Sequence, residues 1–404
     1  MTREITTVGI NFDDWEQRKF ETVIRTIQTG TNLLGSESNY GTPLIKMGNI
    51  QRGYFIFTKT EYLNENDNVE EKNMVKFGDF LFNTRNTLEL VGKGATWFGK
   101  DDEFAFNSNI ARFTFKGIDT IFFNYLYNTP QMIKQVQARA VGTTSVAAVY
   151  PRDLNSMKFE LPIIIEQQKI GSFFKLLDNA IALHQDKLEK LKQLKKGYLQ
   201  LMFPQKDQKV PRLRFTHFSS DWEQRKLGEL GEIQTGNTPS TNDIKNYDDD
   251  GTLWVTPTDI KSLITLNTAK KLSTEGARKA RIAKAGSILV TSIASIGKNT
   301  LATKDVGFNQ QINSLTPFSE NDSYFLLTQS EIWSKKMKRS ASSGTMQIVN
   351  KSEFSNITTL VPKFEEQKKI GNFFKQIDDT IALHQKKIST LQETKKLYLQ
   401  KLFA

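Results

Sequence analysis

The sequence contains no cysteine and only three histidines. Without cysteine there can be no disulfide, no thiolate nucleophile and no cysteine-ligated metal. The histidines, His184, His217 and His384, are scattered along the chain, so no metal site is predicted. No apolar run approaches the roughly 18 residues of a membrane span, and the N-terminus lacks the basic-then-apolar pattern of a secretion signal. We therefore expect a cytoplasmic protein.

Signatures of catalysis are also missing. Ser295–Thr300 contains a Gly-Lys pair but not the earlier glycine that a phosphate-binding loop requires. No [ND]PP[FY] tetrapeptide of an amino-methyltransferase is present. Asp259–Lys261 matches half of a nuclease DxK pattern without a partner acid, and Asp248–Gly251 lacks the spaced carboxylates of a calcium loop, so it is interpreted as a solvated turn. The sequence predicts no catalytic residue and no metal site in this chain.

The chain has an excess of positive charge and many apolar residues. It has 404 residues, a formal net charge of +11, a hydrophobic fraction of 38% and 28 phenylalanines. This length and composition predict folded domains with real cores. The positive charge favours a polyanionic partner, most simply nucleic acid, although an acidic protein or a membrane surface would also fit.

The most informative feature is an internal duplication. Asp14–Lys19 reads DWEQRK, and Asp221–Lys226 reads the same, 207 positions later. Glu166–Leu201 and Glu366–Lys401 are also closely similar, at a spacing of 200. The regions between them, residues 31–160 and 237–360, are mostly unlike. Similar segments that enclose two unlike regions predict a pseudo-two-fold symmetric protein whose two halves recognise two different targets.

The predicted fold class is α+β. Short buried strands are expected at Phe80–Asn83 and Ser287–Thr291, and helical stretches at Asp119–Ala140 and Asp322–Ser340. The predicted division is a first variable domain at 1–160, a first long helix at 161–203, a linker rich in proline and basic residues at 204–214, a second variable domain at 215–360 and a second long helix at 361–404.

Both long helices carry an apolar repeat that alternates steps of four and three residues, which is typical of a coiled coil. We call these positions the seam. In the first helix the seam is Ile170, Phe174, Leu177, Ile181, His184, Leu188, Leu191, Lys195, Tyr198 and Met202. In the second it is Ile370, Phe374, Ile377, Ile381, His384, Ile388, Leu391, Lys395, Tyr398 and Leu402.

We expect the two helices to pair antiparallel, because a parallel pair would crowd both variable domains at one end. Antiparallel pairing would bring His184 and His384 together, unless each is an independent half-buried histidine. At 1.5 Å per residue, the seam from Ile170 to Met202 spans about 48 Å. That length is compatible with contacts to successive turns of one DNA duplex, about 34–36 Å apart.

Polar and basic residues in the variable regions are the candidate DNA contacts, because Arg and Lys suit guanine edges and phosphates and Asn and Gln suit adenine. The first region contributes Lys46, Asn49, Gln51, Arg52, Arg85, Asn86, Lys93, Thr143, Thr144 and Ser145. The second contributes Thr256, Thr258, Lys261, Ser292, Lys298, Asn299, Gln310, Gln311, Ser343, Thr345 and Gln347. Any single one of these is more commonly a solvated surface residue, so the prediction rests on the set.

Over its whole length the chain resembles the specificity subunits of type I restriction–modification systems. The resemblance rests on the two DWEQRK segments and the two helix starts, LP…EQQKIGSFF and VP…EQKKIGNFF, together with further motifs of the second unit: GNTPS (Gly236–Ser240), LWVTPTDIK (Leu253–Lys261), SIASIG (Ser292–Gly297), FNQQIN (Phe308–Asn313) and SSGTMQ (Ser342–Gln347). The first variable domain departs from this pattern, with NSNIA at Asn107–Ala111 and GTTSVAAV at Gly142–Val149.

The resemblance implies that each variable domain is a target-recognition domain for one half of a split double-stranded DNA sequence, and that the helix pair sets the unread gap. Two modification subunits would dock on the frame and carry S-adenosylmethionine. Restriction subunits would join them and carry ATP and Mg²⁺. This chain itself would hold no cofactor and would not be catalytic.

Two other interpretations are considered. One is a coiled-coil adaptor with two protein-binding domains and no DNA specificity. The other is a stand-alone nuclease. The net charge and the loops rich in Asn, Gln and Lys count against the adaptor, and the missing motifs count against the nuclease.

Overall fold

The computed structural model describes residues 4–5, 10–11, 15–205, 208–342 and 348–403. The chain divides into two compact units: Met1–His184 with Lys387–Ala404, and Gln185–Lys386. Both limits fall inside the long helices. Each unit therefore combines one variable region with the first part of one long helix and the last part of the other.

The first unit is a mixed α+β structure. Its strands are β1 (Glu4–Ile5), β2 (Ile10–Asn11), β3 (Glu16–Lys19), β4 (Ile24–Thr29), β5 (Pro43–Ile45), β6 (Glu61–Tyr62), β7 (Phe80–Asn83), β8 (Arg85–Asn86), β9 (Gly94–Thr96), β10 (Ala105–Phe106), β11 (Ile110–Phe115), β12 (Val141–Gly142), β13 (Ala147–Ala148) and β14 (Lys158–Leu161). Its helices are α1 (Phe20–Val23), α2 (Thr120–Tyr127), α3 (Pro130–Gln137) and the first part of α4 (Ile164–Leu201), with 3₁₀ turns at Glu71–Asn73 and Pro151–Leu154.

A four-stranded sheet in the order β4-β11-β7-β9 forms the centre of the first unit. Its strands carry Phe80, Phe82 and Phe113, whose rings pack against one another and are almost completely buried. Smaller sheets, β10-β5-β6 and β12-β13-β8, extend from it. The predicted strand at Phe80–Asn83 is confirmed, and all four of its residues are buried, as expected for a continuous apolar run inside a core.

The second unit has the same class of structure. Its strands are β15 (Glu223–Lys226), β16 (Gly231–Thr235), β17 (Tyr247–Val255), β18 (Ile264–Thr265), β19 (Lys270–Leu272), β20 (Ile282–Ala283), β21 (Ile288–Thr291), β22 (Asn299–Ala302), β23 (Val306–Phe308), β24 (Ile312–Pro317) and β25 (Thr358–Val361). Its helices are α5 (Leu227–Leu230), α6 (Thr274–Lys279), α7 (Ser323–Ser342), α8 (Lys351–Ser355) and the first part of α9 (Phe364–Leu402), with a 3₁₀ turn at Ile244–Asn246.

The two larger sheets of the second unit have the orders β16-β24-β21-β22-β18 and β19-β17-β23-β20. The predicted strand at Ser287–Thr291 is confirmed as β21. Asp248–Asp250, interpreted from sequence as a solvated turn, lie instead within β17, where the pairing with β19 is interrupted between Tyr247 and Thr252. The aspartates are exposed, which explains how three consecutive acids are tolerated in a strand.

The duplicated DWEQRK segment forms a strand in both units. Glu16–Lys19 pairs antiparallel with Lys158–Leu161, and Glu223–Lys226 pairs in the same way with Thr358–Val361. The partner strands end directly before Pro162 and Pro362, which precede the long helices. The repeated segment therefore ties the beginning of each variable region to its end.

The repeated Glu-Gln pair at the start of each long helix fastens that helix to its own domain. In the first unit Gln167 Oε1 accepts a hydrogen bond from Asp119 N at 3.0 Å, and Gln167 Nε2 donates to Pro162 O at 2.9 Å. Gln367 makes the same two bonds in the second unit, to Asp322 N and Pro362 O, both at 3.0 Å. Asp119 and Asp322 in turn cap α2 and α7.

The glycine of the same motif permits a close helix contact. A Cβ on Gly171 would lie 2.7 Å from Phe122 N, and one on Gly371 would lie 2.2 Å from Asp322 Oδ1. Real Cβ contacts are not this short, so the motif needs glycine here. The sequence KIG thus encodes close packing between each long helix and the helix that its glutamine holds.

Within each unit the two long-helix segments run antiparallel, as predicted. In the first unit Phe173 packs against Tyr398, with ring centroids 5.2 Å apart, and Asp178 pairs with Lys395. In the second, Tyr198 packs against Phe373 at 4.9 Å, and Lys195 pairs with Asp378 at 2.6 Å. The seam residues of both helices are buried or half-buried. Both seam histidines are half-buried, and their mutual approach stays a prediction.

The predicted helical stretch Asp119–Ala140 is two helices rather than one. Helix α2 ends at Tyr127, and α3 begins at Pro130, with Thr129 Oγ1 accepting a hydrogen bond from Met132 N. Proline at the first position and threonine at the cap are strong signals for a new helix start. The stretch at Asp322–Ser340 is a single helix, α7. Among the described residues no helix is long and apolar enough to cross a membrane.

Candidate nucleic-acid interface

A short polar turn precedes a central strand in the first unit. Asn107 Oδ1 accepts a hydrogen bond from Asn109 N at 2.9 Å, and Asn107 O accepts one from Ile110 N at the same distance. Side-chain bonds of asparagine to the backbone two residues ahead are a standard way of fixing a turn. Thr84, at the end of β7, then donates both its N–H and its hydroxyl to Asn109 O, at 3.1 and 2.7 Å.

The second unit has the same arrangement with different residues. Asn309 Oδ1 accepts from Gln311 N, and Asn309 O accepts from Ile312 N, both at 3.1 Å. Ser292, at the end of β21, donates its N–H and its hydroxyl to Gln311 O, at 2.8 and 3.0 Å. We call Asn107–Asn109 and Asn309–Gln311 the recognition turns.

A third segment is hydrogen-bonded to the strand-end residue beside each recognition turn. Val149 N donates to Thr84 O and Val349 N donates to Ser292 O, each at 2.9 Å. The hydrogen-bonded framework of the two turns is therefore the same. The second and third residues of the turns differ. They are Ser108 and Asn109, both half-buried, in one unit, and exposed Gln310 and half-buried Gln311 in the other. Such a framework can present different donors and acceptors without a change of backbone.

Several predicted residues of the first unit meet beside its turn. Arg85 and Asn86 form β8, which pairs with β13, and β13 pairs with β12. The loop between β12 and β13 carries Thr143, Thr144 and Ser145, all exposed. Arg85 and Thr143, 58 positions apart in sequence, thus lie on one small sheet, and Arg85 is exposed.

A second group of predicted residues gathers around Lys93. Lys93 Nζ donates to Gln51 Oε1 at 2.6 Å, and Arg52 Nη2 donates to Glu89 O at 3.1 Å. Burial lowers the pKa of Arg52. Burial and the nearby Arg52 charge lower the pKa of Lys93, while the Glu89 carboxylate acts in the opposite direction on both. Neither cation forms an ion pair within the described part of the chain, so an incoming anion would relieve their repulsion.

Two other candidates in this domain make internal bonds. Lys46 forms an ion pair with Glu61 at 2.6 Å. Asn49 is buried, its Oδ1 accepts from Lys46 N, and its Nδ2 donates to Ile56 O and Lys59 O. The Asn49 side chain therefore holds the loop that presents Gln51 and Arg52.

In the second unit the predicted residues occupy three loops. Thr256 and Thr258 hydroxyls lie 2.8 Å apart in the turn after β17, with Lys261 exposed beyond them. Gln310 Oε1 accepts from Thr238 Oγ1 at 2.5 Å, which joins the GNTPS segment to the recognition turn. Lys298 is exposed, whereas Asn299 is half-buried and donates to Ser334 Oγ at 2.8 Å. Ser343, Thr345 and Gln347 lie outside the described residues.

The SIASIG loop of the second unit is held in an unusual backbone conformation. Ala294 has a φ of 60°, in the left-handed region that non-glycine residues seldom occupy. The Thr291 hydroxyl fixes the loop, donating to Ser295 O at 2.5 Å and accepting from Lys298 N at 2.9 Å. Local strain of this kind commonly accompanies binding loops.

The described residues contain no cluster of acids and histidines that could hold a metal. The half DxK motif has a structural explanation, since Asp259 Oδ2 accepts from Thr256 N and Oδ1 accepts from Ala269 N, both at 2.9 Å. The aspartate closes a turn. Sequence reasoning did not select Thr84, Ser108 and Asn109. The shared Asn-x-x-Ile pattern before a buried strand was the available signal.

Comparison with known proteins identifies relatives of the chain. The family model "Type I restriction modification DNA specificity domain" matches twice, at residues 13–193 and 219–393. The MjaX type I restriction enzyme specificity subunit of Methanocaldococcus jannaschii is 22% identical over 416 residues, covering 97% of this chain and 93% of that protein. The HindI specificity subunit of Haemophilus influenzae is 34% identical over 165 residues, covering 38% of this chain and 36% of that protein.

The fold also matches a solved structure. The crystal structure of the type I restriction–modification S subunit from M. genitalium aligns with a TM-score of 0.68 at 14% identity, covering 97% of this chain and 96% of that one. The comparisons give no support to the protein-binding adaptor. Two family domains on a duplicated, antiparallel helix frame show that the chain belongs to the type I restriction–modification specificity subunits, which recognise DNA sequence and assemble with other subunits of their complex.

Proposed function

We propose that the two units read two different short DNA sequences, one half of a split target each. The observation that carries this proposal is the pair of recognition turns. Each turn is built on an asparagine and on a strand-end hydroxyl at equivalent positions. The other two residues of the turn are Ser108 and Asn109 in one unit and Gln310 and Gln311 in the other. Amide groups suit adenine edges, and hydroxyl groups suit several bases.

The test is genome-wide mapping of adenine methylation in cells that express this chain with its modification subunit. Exchanging residues 31–160 for those of another specificity subunit is expected to change one half-site and leave the other half-site and the gap unchanged. If both half-sites changed, the units would not be independent readers. The double variant Ser108→Ala with Asn109→Ala should relax the same half-site, and Gln310→Ala with Gln311→Ala should relax the other.

We also propose that the helix pair sets the unread gap between the half-sites. This proposal is supported by the contacts that hold the start of each long helix against its own domain. These contacts are the hydrogen bonds of Gln167 and Gln367 and the close packing that the two glycines allow. A domain held in this way follows its helix as a rigid body, so a change in helix length should appear as a change in the gap.

Two modification subunits are proposed to dock on the long helices, one for each unit. Each unit has leucines on its helix segments that are at least 40% exposed: Leu176, Leu183 and Leu397 in the first, and Leu194, Leu201 and Leu383 in the second. Leu176 and Leu183 are seven residues apart, as are Leu194 and Leu201, so each pair lies on one face of its helix. Exposed apolar patches are typical of protein interfaces. The variant Leu176→Ser with Leu183→Ser should weaken co-purification with the modification subunit, whereas Leu266→Ser, in a loop of the second unit, should not.

The remaining chemistry is assigned to the partners. S-adenosylmethionine would bind the modification subunits, and ATP and Mg²⁺ would bind the restriction subunits, in the cytoplasm. The chain itself would be non-catalytic. Purified alone it should neither methylate nor cleave DNA, and both activities should return when the partners are added. Methylation or cleavage by the isolated chain would contradict this assignment.

A further inference from the structure

The small sheet β12-β13-β8 of the first unit presents an apolar face beside the recognition turn. Val141 pairs with Ala148, Gly142 with Ala147, and the turn between them is closed by Thr143 N donating to Val146 O at 2.8 Å. Directly opposed residues of an antiparallel pair lie on the same face. Val141, Thr143, Val146 and Ala148 therefore share one face, and Ala147 lies on the other.

Burial agrees with this division. Ala147 is 1% exposed, whereas Val141 is 61% and Val146 70% exposed. The third strand adds a charge to the exposed face, because Arg85 pairs with Ala148 and so lies on the same side. Arg85 is exposed and makes no ion pair with the other described residues. Two exposed valines and an arginine without an ion-pair partner among the described residues thus lie on the same face of the sheet.

The hairpin is held rigidly. Leu88 N donates to Thr144 O at 3.1 Å, which ties the tip to the segment after β8. Gly142 has a φ of 132°, and a Cβ there would lie 2.3 Å from Val146 O, so the turn requires glycine. The exposed valines therefore lie on a hairpin whose tip is hydrogen-bonded to the segment after β8.

We propose that Val141 and Val146 contact the C5-methyl groups of thymines in the half-site that the first unit reads, with Arg85 on a neighbouring phosphate. The inference rests on the proposed function and names its chemistry. A two-stranded ribbon fits the major groove, and the thymine methyl is the one apolar group displayed there. Arginine on the same face supplies the complementary charge. The valines would distinguish thymine from cytosine, which lacks the methyl.

The experiment uses the chain assembled with its modification subunit and the target found by methylation mapping. Each thymine of the half-site assigned to the first unit is replaced in turn by deoxyuridine, which removes only the methyl. At one or more positions the dissociation constant of the wild-type complex should rise about fourfold, the value for one buried methyl-sized group. The variant Val141→Ala with Val146→Ala should bind thymine DNA more weakly and lose nothing further with deoxyuridine.

Ile244→Ala is the matched control, an 80% exposed aliphatic residue of the second unit. It should keep the wild-type response to deoxyuridine in this half-site. Val141→Ser with Val146→Ser, in which no side-chain methyl group remains, serves in the same comparison should the alanine variant not fold.

Three results would overturn the inference: wild-type binding that is insensitive to every deoxyuridine, an equal response from the valine variants, or loss of assembly with the modification subunit, which would make the valines a protein contact. Failure of the proposed function would look different, because no split duplex would be bound.

Discussion

At the scale of single residues, the two units bind the glutamate at the start of the long helix with different side chains. In the first unit this glutamate is Glu166, and its Oε1 accepts a hydrogen bond from Trp15 Nε1 at 3.2 Å. In the second unit Arg214 takes this place and donates to both oxygens of Glu366 at 2.7 Å. Trp222 Nε1 is left without a hydrogen-bond partner among the described residues. In the second unit the linker arginine thus forms a buried ion pair with the glutamate of the long helix.

Arg214→Ala should destabilise the second unit by about 3–5 kcal/mol, because Glu366, with 2% of its side chain exposed, would be left buried and unpaired. Urea unfolding of the full chain measures the effect. The exposed Arg212→Ala is the control and should change stability little. The double variant Arg214→Met with Glu366→Leu should recover most of the loss, since it leaves no unpaired charge. A loss equal to that of Arg212→Ala would show that Glu366 is not dependent on Arg214.

Two lysines of the first unit allow a matched test of the charge arrangement. Lys93 has no carboxylate partner within the described structure, whereas Lys46 is paired with Glu61. Lys93→Gln should weaken DNA binding for all sequences and lower the slope of log affinity against log salt by about one. The double variant Lys46→Gln with Glu61→Gln should change the slope less, because it removes both members of an ion pair and leaves the net charge unchanged. Binding titrations of the assembled complex across salt concentrations decide this, and equal slopes for both variants would contradict it.

At the scale of elements, the seam carries more than apolar packing. Asp178 accepts from Tyr125 OH at 2.9 Å and pairs with Lys395, and Asp378 accepts from Tyr324 OH at 3.0 Å and pairs with Lys195. We call each Tyr-Asp-Lys group a latch. Burial and the aspartate charge raise the pKa of both tyrosines well above its ordinary value, so their hydroxyls stay protonated donors. Each latch joins a domain helix to both long-helix segments of its unit.

The two latches should differ in strength. In the second unit the aspartate and lysine side chains are 12% and 19% exposed, whereas in the first they are 40% and 26% exposed. Asp378→Ala should therefore approach the roughly 3–5 kcal/mol cost of breaking a buried pair, and Asp178→Ala should stay nearer to the roughly 0–1 kcal/mol of an exposed one. Urea unfolding of the two variants measures the difference, with exposed Asp379→Ala as control. A larger loss for Asp178→Ala would reverse the argument.

The seam also shows what sequence could predict. A repeat of four and three over many turns is typical of a coiled coil, so the long helices followed from Ile170, Phe174 and their successors. Their antiparallel pairing followed from the crowding of the variable domains that a parallel pair would cause. Lys195 and Lys395 were placed on the seam by spacing alone, but their partners lie on another segment of the chain and leave no local signal. Gln310 and Gln311 of the second recognition turn were selected from sequence, but Thr84 and Asn109 of the first were not, because these two residues are joined only in the folded sheet.

At the scale of the whole molecule, duplication separates what is kept from what varies. The fastening residues, Gln167 and Gln367 with Gly171 and Gly371, are identical in the two units, whereas the second and third residues of the recognition turns differ. The parts that hold a domain on its helix are thus independent of the parts that would touch bases. Variation in the loops can change the bases that are read without disturbing the frame.

This separation predicts that gap and half-site sequence can be changed independently. Inserting one heptad into each long helix, after Lys187 and after Lys387, keeps the seam in phase, because seven residues preserve the repeat. The insertion lengthens each helix by about 10 Å at 1.5 Å per residue, or roughly three base pairs at 3.4 Å each. Methylation mapping should then find the same two half-sites around a longer gap. A three-residue insertion at both sites is the control, and it should abolish the split motif because it moves the seam off the helix interface. New half-sites around the original gap would mean that the helices do not set the spacing.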